Sequence, residues 1–557
     1  MKRPATEAAA DVTAYLTSTP EKNDAYQPKL GAGLLARLRL DKPYDVSTQS
    51  TSLAWLNLFQ TDFMSIKTIN FAGRLITLTA LSIALSQAQA KSKPNVLFIF
   101  ADDQCYETVA NLGLTDIDTP HLDRLAKHGT QFTRAYNMGS WSGAVCVASR
   151  HMLITGRHIW RAQTASQVLR GKGKNLTPAQ QATREAEYAN LWPQVMERAG
   201  YQTFFTGKWH IQAPAEKAFQ ITRNIRGGMP NQTPEGYNRP LLGKPDPWSP
   251  YDIKFDGFWK GGKHWSEVVA DDAVNYIGEA KRDERPFFMY IAFNAPHDPR
   301  QAPKEYIERY PINRIKIPEN YLDEYPYKDA IGNSAKLRDE KLGPFPRNHH
   351  AVKVHRQEYY AIIEHMDAQI GRILDTLDAS GQAENTYIFF SADHGLGVGH
   401  HGLFGKQNLY EHSTRVPFIA VGPGIKANHK IDVPIYLQDV MATSLDIAGA
   451  KRPAQVEFQS LMPLLNGKTK ESKVKAVYGA YLGLQRSVTL GKWKLILYPK
   501  IAKARLYNIK RDPLEMRDHA EEESKGKLIK RLYKRLQKLQ QANGDTLDLS
   551  AAFPKLN

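Results

Sequence analysis

The chain predicts an α/β fold: a doubly wound, mostly parallel, large central sheet with helices on both faces, plus a smaller C-terminal α+β subdomain with a short antiparallel sheet. Three observations lead there. The run Val96-Leu97-Phe98-Ile99-Phe100-Ala101 is continuously apolar, as a strand buried on both faces must be. Helical segments and short apolar runs then alternate as far as Ser391, the pattern of successive βα units. After about Lys451 the style changes, and short strands precede a single basic helix.

Thr119-Pro120 reads as an N-cap followed by an N1 proline, opening a helix that runs through His128. A second helix is expected over residues 188–199, ended by Gly200, before a short strand at 203–206. The amphipathic stretch 268–281 leads to a strand at 287–293. A long helix at 355–377, ended near Gly381, leads to a strand at 387–391. The interval 300–350 is rich in Pro, Tyr and charge with little periodicity, and reads as long surface loops. Residues 493–498 read as an edge-like strand and Leu506-Tyr507-Asn508 as a second short one. Leu528, Ile529, Leu532, Leu536 and Leu539 fall on one face of a basic helix. That stripe is expected to pack on the small sheet with its lysines in water. Binding of a membrane or polyanion is the alternative.

A length of 557 residues suits one large domain plus a smaller one, here 91–455 and 456–557. Hydrophobic content of 42% with 24% charge excludes a disordered or fibrous chain. Lys and Arg number 74 against 57 Asp and Glu, a net charge of +17, and the first 90 residues contribute little of it. The folded body therefore carries a field that favours anionic partners, although sign alone does not choose among nucleic acid, membrane surface and sulfated polymer. Two cysteines, Cys105 and Cys146, make no disulfide framework and no Cys-x-x-Cys metal motif.

Residues 64–74 form a basic n-region, 75–85 an apolar run of 11, and Ala88-Gln89-Ala90 a small-x-small cleavage pattern. Together they read as a secretory signal peptide over 64–90, the run being far short of the roughly 20 residues a spanning helix needs. A core helix is the alternative for 75–85. Translation is then expected to begin at Met64, leaving 1–63 as a disordered, mis-called upstream extension. A periplasmic or secreted protein follows, with its mature chain starting near Lys91 and no stable membrane insertion after cleavage.

The chemistry-bearing residues cluster at expected strand ends, where sheets of this class build their sites. Asp102-Asp103 closes the first strand, and Gly207-Lys208-Trp209-His210 follows the strand at 203–206. Asn294-Ala295-Pro296-His297-Asp298-Pro299 follows the strand at 287–293. Asp393-His394-Gly395 ends the strand at 387–391, with Lys406 further along. Between the first two lies Cys146-Val147-Ala148-Ser149-Arg150, followed by Leu153-Ile154-Thr155-Gly156-Arg157. Each motif alone has an ordinary explanation: paired Asp caps helices, Lys and His are common on loops, and a lone Cys is often core.

In this order, the motifs resemble those of type I formylglycine-dependent sulfatases of the alkaline-phosphatase-like superfamily, bacterial carbohydrate-type members among them. The resemblance covers nearly all of 94–520, including Leu506-Tyr507-Asn508 with Asp512-Pro513-Leu514-Glu515, which is similar to that family's C-terminal subdomain. It implies that a formylglycine-generating, sulfatase-maturating enzyme oxidises Cys146 to 3-oxoalanine (formylglycine), whose hydrate attacks sulfur. The second hydroxyl of the hydrate then expels sulfate by carbon–oxygen cleavage. It further implies a metal site of Asp102, Asp103, the modified Cys146, Asp393 and His394. That site holds Ca2+, with Mg2+ as the alternative, in keeping with its oxygen-rich donors. Support of Asp393 is the other role open to His394. By the same resemblance Arg150 orients the hydrate, Lys208 and Lys406 grip sulfate oxygens, and His210 and His297 handle protons. Ala148 stands where many members have Pro, and Ile154 replaces the usual Leu before Thr-Gly-Arg.

The freed alcohol is set by loops. Arg300, Gln301, Arg347, His349, His350, His355, Arg356, His400 and His401 are the candidates, about a third of them expected to touch substrate. Residues 297–303 and 354–360 look like bacterial sulfatases often labelled choline sulfatase. An exported basic enzyme suits a sulfated carbohydrate, polysaccharide or oligosaccharide, better than a small choline ester, and no nucleic-acid partner is expected. The rival readings are a phosphonate or phosphate monoester hydrolase, a choline-sulfate hydrolase, and a catalytically silent glycan-binding protein with an unmodified Cys146.

Overall fold

The structure is a computed structural model that describes residues 93–171, 176–227, 233–255, 257–258, 261–298 and 300–556. The extension expected at 1–63 and the leader expected at 64–90 lie outside the described residues. The main sheet is built from β1 (Asn95–Ala101), β2 (Thr130–Phe132), β3 (Gln202–Lys208), β4 (Ile221–Arg226), β5 (Phe287–Ala292), β6 (Thr386–Ala392), β7 (Phe418–Val421) and β8 (His429–Ile431). Their order across the sheet is β8-β2-β7-β6-β1-β5-β3-β4. β1 pairs in parallel with both β5 and β6, and β3 with β4 and β5, so the centre is parallel. β7 runs antiparallel to β6 and β2. All seven residues of β1 are buried, which is why its sequence shows no alternation.

Helices flank this sheet. They include α1 (Pro120–His128), α2 (Val145–Thr155), α3 (Trp265–Ala280) and α4 (His349–Ala379). The expected N-cap of α1 is corrected by the structure. Thr119 makes no side-chain cap, and its hydroxyl instead accepts from the Ala110 amide at 2.8 Å. The carboxylate of Asp367 on α4 takes over, accepting from the His121 and Leu122 amides at 2.9 and 2.7 Å. The helix expected over 188–199 is two helices, Pro178–Ala189 and Trp192–Arg198, broken where Pro193 starts the second. A proline is tolerated in a first turn but not in a helix interior.

The interval 300–350 is not a set of surface loops. Tyr310, Tyr325, Asn333, Glu340 and Arg347 are buried there, and only short helical turns interrupt an irregular path. Beyond it, β9 (Val477–Tyr481), β10 (Gln485–Leu490), β11 (Trp493–Tyr498) and β12 (Lys503–Asn508) form an antiparallel meander. The two-residue strand Gly139–Ser140 joins it in parallel beside β9. β11 therefore lies inside the sheet rather than at its edge. Helix α5 (Gly526–Asn543) buries Ile529, Leu532, Tyr533 and Leu536 in the hydrophobic cluster of this small sheet, as its stripe predicts. Among the described residues no helix is long and apolar enough to cross a membrane.

Candidate active site

β1 delivers the two aspartates. The Asp102 amide donates to the Ala295 carbonyl at 3.0 Å, which ties it to the turn after β5. Asp103 stands at φ 68°, a left-handed conformation that non-glycine residues rarely adopt. Two bonds hold it there. Its amide donates to Asp393 Oδ1 at 3.0 Å, and the Tyr359 hydroxyl, from α4, donates to its carbonyl at 2.7 Å. Asp393 follows β6, and its carbonyl accepts from Asn137 Nδ2 at 2.7 Å.

Cys146 sits in the first turn of α2, buried, with Sγ 3.1 Å from Lys406 Nζ and 3.6 Å from Asp103 Oδ1. One ligand atom from each of Asp102, Asp103, Cys146 and Asp393 lies within 4.8 Å of the others, and Asp102, Cys146 and His297 form an overlapping group. Arg150, one turn after Cys146 on the same helix face, donates from Nε to Asp393 Oδ2 at 2.9 Å and from Nη1 to the Lys208 carbonyl at 2.8 Å. Its Nη2 lies 3.4 Å from Asp102 Oδ1 and its guanidinium 5.1 Å from the Phe100 ring centre. The Lys208 ammonium, from the last residue of β3, bonds Asp102, and that of Lys406 bonds Asp103.

Three buried carboxylates thus face three buried cations, and their titration follows from that. Burial pushes the Asp393 carboxyl up to about 7, with Asp102 and Asp103 adding to the rise and Arg150 opposing it. For Asp102 burial acts in the same direction, but Lys208, His297 and Arg150 reverse it and hold the group well below the usual range. Burial and the three carboxylates raise the Cys146 thiol well above its ordinary value. A thiolate nucleophile is disfavoured in these surroundings.

The structure separates the three histidines. His297 Nδ1 lies 2.9 Å from both the carbonyl and a carboxylate oxygen of Asp298, while Nε2 is 3.4 Å from Asp103 Oδ2. His210 has a left-handed backbone at φ 54°, and its Nδ1 has no hydrogen-bond partner. Burial first, then Lys208 and Arg150, hold it neutral. His394 falls outside both donor groups among the described residues; it is buried and neither ring nitrogen finds a hydrogen-bond partner.

Sequence reasoning missed the supports. Arg338 bridges Asp298 and Asp339 at 2.5 Å each, and Asp339 accepts from Gln407 Nε2 at 2.8 Å. Both residues come from the interval read as loops, where no local periodicity marks them. Tyr359 stood out only as part of the 354–360 stretch, with no role read for it. Of the loop residues proposed to meet substrate, most are committed to protein partners. Arg347 bonds the Glu340 carboxylate and four carbonyls, Gln301 bonds the Gly257 amide, Arg356 bonds Glu107, and His400 bonds Asn320 and Glu107. Arg300 differs, being buried with Nε and Nη2 unpartnered.

The family model described as Sulfatase matches residues 94–450. The chain belongs to the sulfatase family. A second family model, N-sulphoglucosamine sulphohydrolase, C-terminal, matches residues 399–542 of this sulfatase. An N-acetylglucosamine-6-O-sulfatase of Bacteroides thetaiotaomicron is 24% identical over 88% of this chain and 95% of its own. An ulvan-active sulfatase of Formosa agariphila is 26% identical over 74% of each. A solved structure in complex with its substrate, D-glucosamine-2-N,6-O-disulfate, superposes with a TM-score of 0.62 at 22% identity, over 82% of this chain and 99% of that one. At that identity the likeness concerns the fold. The donor set of this sulfatase suits a divalent metal: three carboxylates converge, and the two free nitrogens of buried His394 lie next in sequence to one of them.

Proposed function

We propose that this sulfatase removes sulfate from a sulfated carbohydrate, using a hydrated formylglycine made from Cys146 by a maturating enzyme. The observation that carries this reading is the convergence of Cys146 with Asp102, Asp103 and Asp393 inside a ring of Arg150, Lys208 and Lys406. The relatives named for N-acetylglucosamine-6-O-sulfatase and ulvan-active sulfatase activity favour a sugar as the alcohol.

Asp102, Asp103 and Asp393 would hold a calcium ion, with His394 as a candidate fourth ligand after a turn of its ring. Bound there, the ion would withdraw charge from a sulfate oxygen and from the nucleophile. The rest is work for the chain itself. Three carboxylates and three cations balance, so a divalent ion leaves the site positive toward a sulfate ester. Lys208 and Lys406 offer ammonium donors to the sulfate oxygens, and Arg150 fixes the carboxylates by bonding two of them. His297, oriented by Asp298, accepts the hydrate proton beside Cys146. His210, neutral and with Nδ1 free, is the candidate to return a proton to the departing alcohol. Arg300 has donor capacity left for a second anionic group on the sugar. Export through a leader at 64–90 to the periplasm or medium completes the proposal. The amino terminus of exported protein is expected near Lys91, and one well upstream would refute export through this leader.

Peptide mass spectrometry across Cys146, in protein made with a competent maturating enzyme, tests the nucleophile. Formylglycine is expected, and an unmodified thiol rejects the mechanism. Comparing a sulfate and a phosphate ester of one alcohol tests the reaction class. Faster phosphate turnover would transfer the enzyme to the phosphonate and phosphate hydrolases.

A further inference from the structure

Helix α5 has a second face that the small sheet does not use. Lys527, Lys530, Arg531, Lys534 and Lys538 are exposed, Arg535 is half-buried, and with Leu490 of β10 they line a groove of about 510 Å³. Their spacing follows the helical repeat, so the row of charge extends about 16 Å at roughly 1.5 Å per residue. Neighbours three and four apart repel one another. Among the described residues none of the six has a carboxylate within 4.0 Å, although Lys525, just before the helix, pairs with Glu522. Folding gains nothing from such an arrangement, and the site chemistry described above does not touch it.

We infer that this face docks an extended sulfated polysaccharide chain, holding it on the enzyme while individual sulfates reach the active site. The inference rests on the carbohydrate reading above. Charge complementarity selects an anionic polymer: six unpaired cations in a row match a ligand with repeated sulfates, whereas one small sulfate ester would engage few of them. A membrane surface fits poorly, because the apolar residues that would enter lipid, Ile529, Leu532, Tyr533 and Leu536, are already buried against the sheet. Single-stranded nucleic acid fits poorly as well, since no exposed aromatic side chain stands between the lysines to stack a base.

The test uses the full-length enzyme on immobilised heparin at low salt. The triple variant Lys530→Ala, Lys534→Ala and Lys538→Ala is expected to bind about tenfold more weakly, with a shallower salt dependence. Its kcat/KM on N-acetylglucosamine-6-sulfate should stay within about twofold of the parent, since one small ester gains little from a remote charged face. A control variant, Lys468→Ala with Lys470→Ala, removes two exposed lysines elsewhere and should leave heparin binding unchanged. Heparin affinity retained by the triple variant would overturn the inference. So would an equal loss in the control, or tighter binding of the native enzyme to phosphatidylserine vesicles or single-stranded DNA than to heparin. If the native enzyme fails to hydrolyse any sulfated sugar, the proposed function falls, while the heparin comparison still reads the docking face separately.

Discussion

The two cysteines show how strongly surroundings set the role of one residue type. Cys105 Sγ donates to the Leu396 carbonyl at 2.9 Å and accepts from the Leu396 amide at 3.1 Å, and burial pushes its thiol up to about 12. It fastens two loops and has no charged partner within bonding distance. Cys146 meets an ammonium and a carboxylate, in a helix first turn whose free amides add positive potential. Cys146→Ala is expected to lower kcat/KM on a sulfated sugar by at least about 10³-fold while leaving the thermal midpoint nearly unchanged. Lys406→Ala removes the cation shared by Asp103 and Cys146 and should lower kcat by about 10²–10³-fold. Treatment with EDTA is expected to abolish hydrolysis and to lower the thermal midpoint, with both restored by calcium. A bound ion stabilises the folded state that holds it, and an unchanged melting curve would count against the carboxylate site. The residue types were legible in sequence because chemistry is local: carboxylates beside a strand end and a lysine after Gly are what they are wherever they lie. Which histidine faces the cluster was not legible. His297 joins Asp102 and Cys146 through the turn after β5, while His394, beside Asp393 in sequence, falls outside both donor groups among the described residues.

At the scale of elements, apolar runs located the four central parallel strands β1, β3, β5 and β6 but not the buried β2, β7, β9 and β10, and contacts with distant chain account for other errors. α1 is the clearest case, since its N-terminal amides are taken by Asp367, whose partner segment lies some 245 residues away in sequence. Burial pushes the Asp367 carboxyl up to about 7, against the two amides that pull it down. In an unfolded chain an aspartate titrates near 3.9, so folding takes up a proton between these values. The contribution of this group to stability is therefore complete below about pH 4 and lost as pH rises through about 7. Urea denaturation of Asp367→Asn against the parent checks it. The parent's advantage should shrink by roughly 3 kcal/mol from pH 4 to pH 8, and a difference independent of pH would contradict the assignment. β11 was misplaced for a different reason. Its partners β10 and β12 are its neighbours in sequence, but the polar start of β10, Gln485-Arg486-Ser487, was not read as a strand, so the interior position of β11 appears only in the sheet itself.

Buried charges that no local pattern announces tie the small sheet to the rest of the described fold. Lys494, on β11, reaches Glu411 at 3.1 Å and Glu515 at 3.0 Å, linking the small sheet to the helical turn Glu411–Thr414 that precedes β7. All three groups are buried. Lys494→Met would leave Glu515 without its cation and Glu411 with only Arg415 at 3.8 Å, at an expected cost of about 3 kcal/mol in urea denaturation. A loss under about 1 kcal/mol would show that the link is dispensable. The strand Gly139–Ser140 makes a second tie, since it belongs to the small sheet and leads within a few residues into α2 and Cys146. The C-terminal sheet is thereby coupled to the placement of Cys146.

By itself the sequence determined the class of fold and the family, and it named the carboxylates, lysines and cysteine that the structure brings together. Buried parallel strands need unbroken apolar runs, and the carboxylates, lysines and cysteine of the site stand in the order in which the motifs were read. Only the tertiary structure decided which groups meet. It set the left-handed turn at Asp103, the bracing of His297 through Asp298 and Arg338, the cap on α1, and the unpaired basic face left on α5. Each of these depends on chain segments tens to hundreds of residues apart, where contact is fixed by packing and charge balance rather than by spacing along the chain.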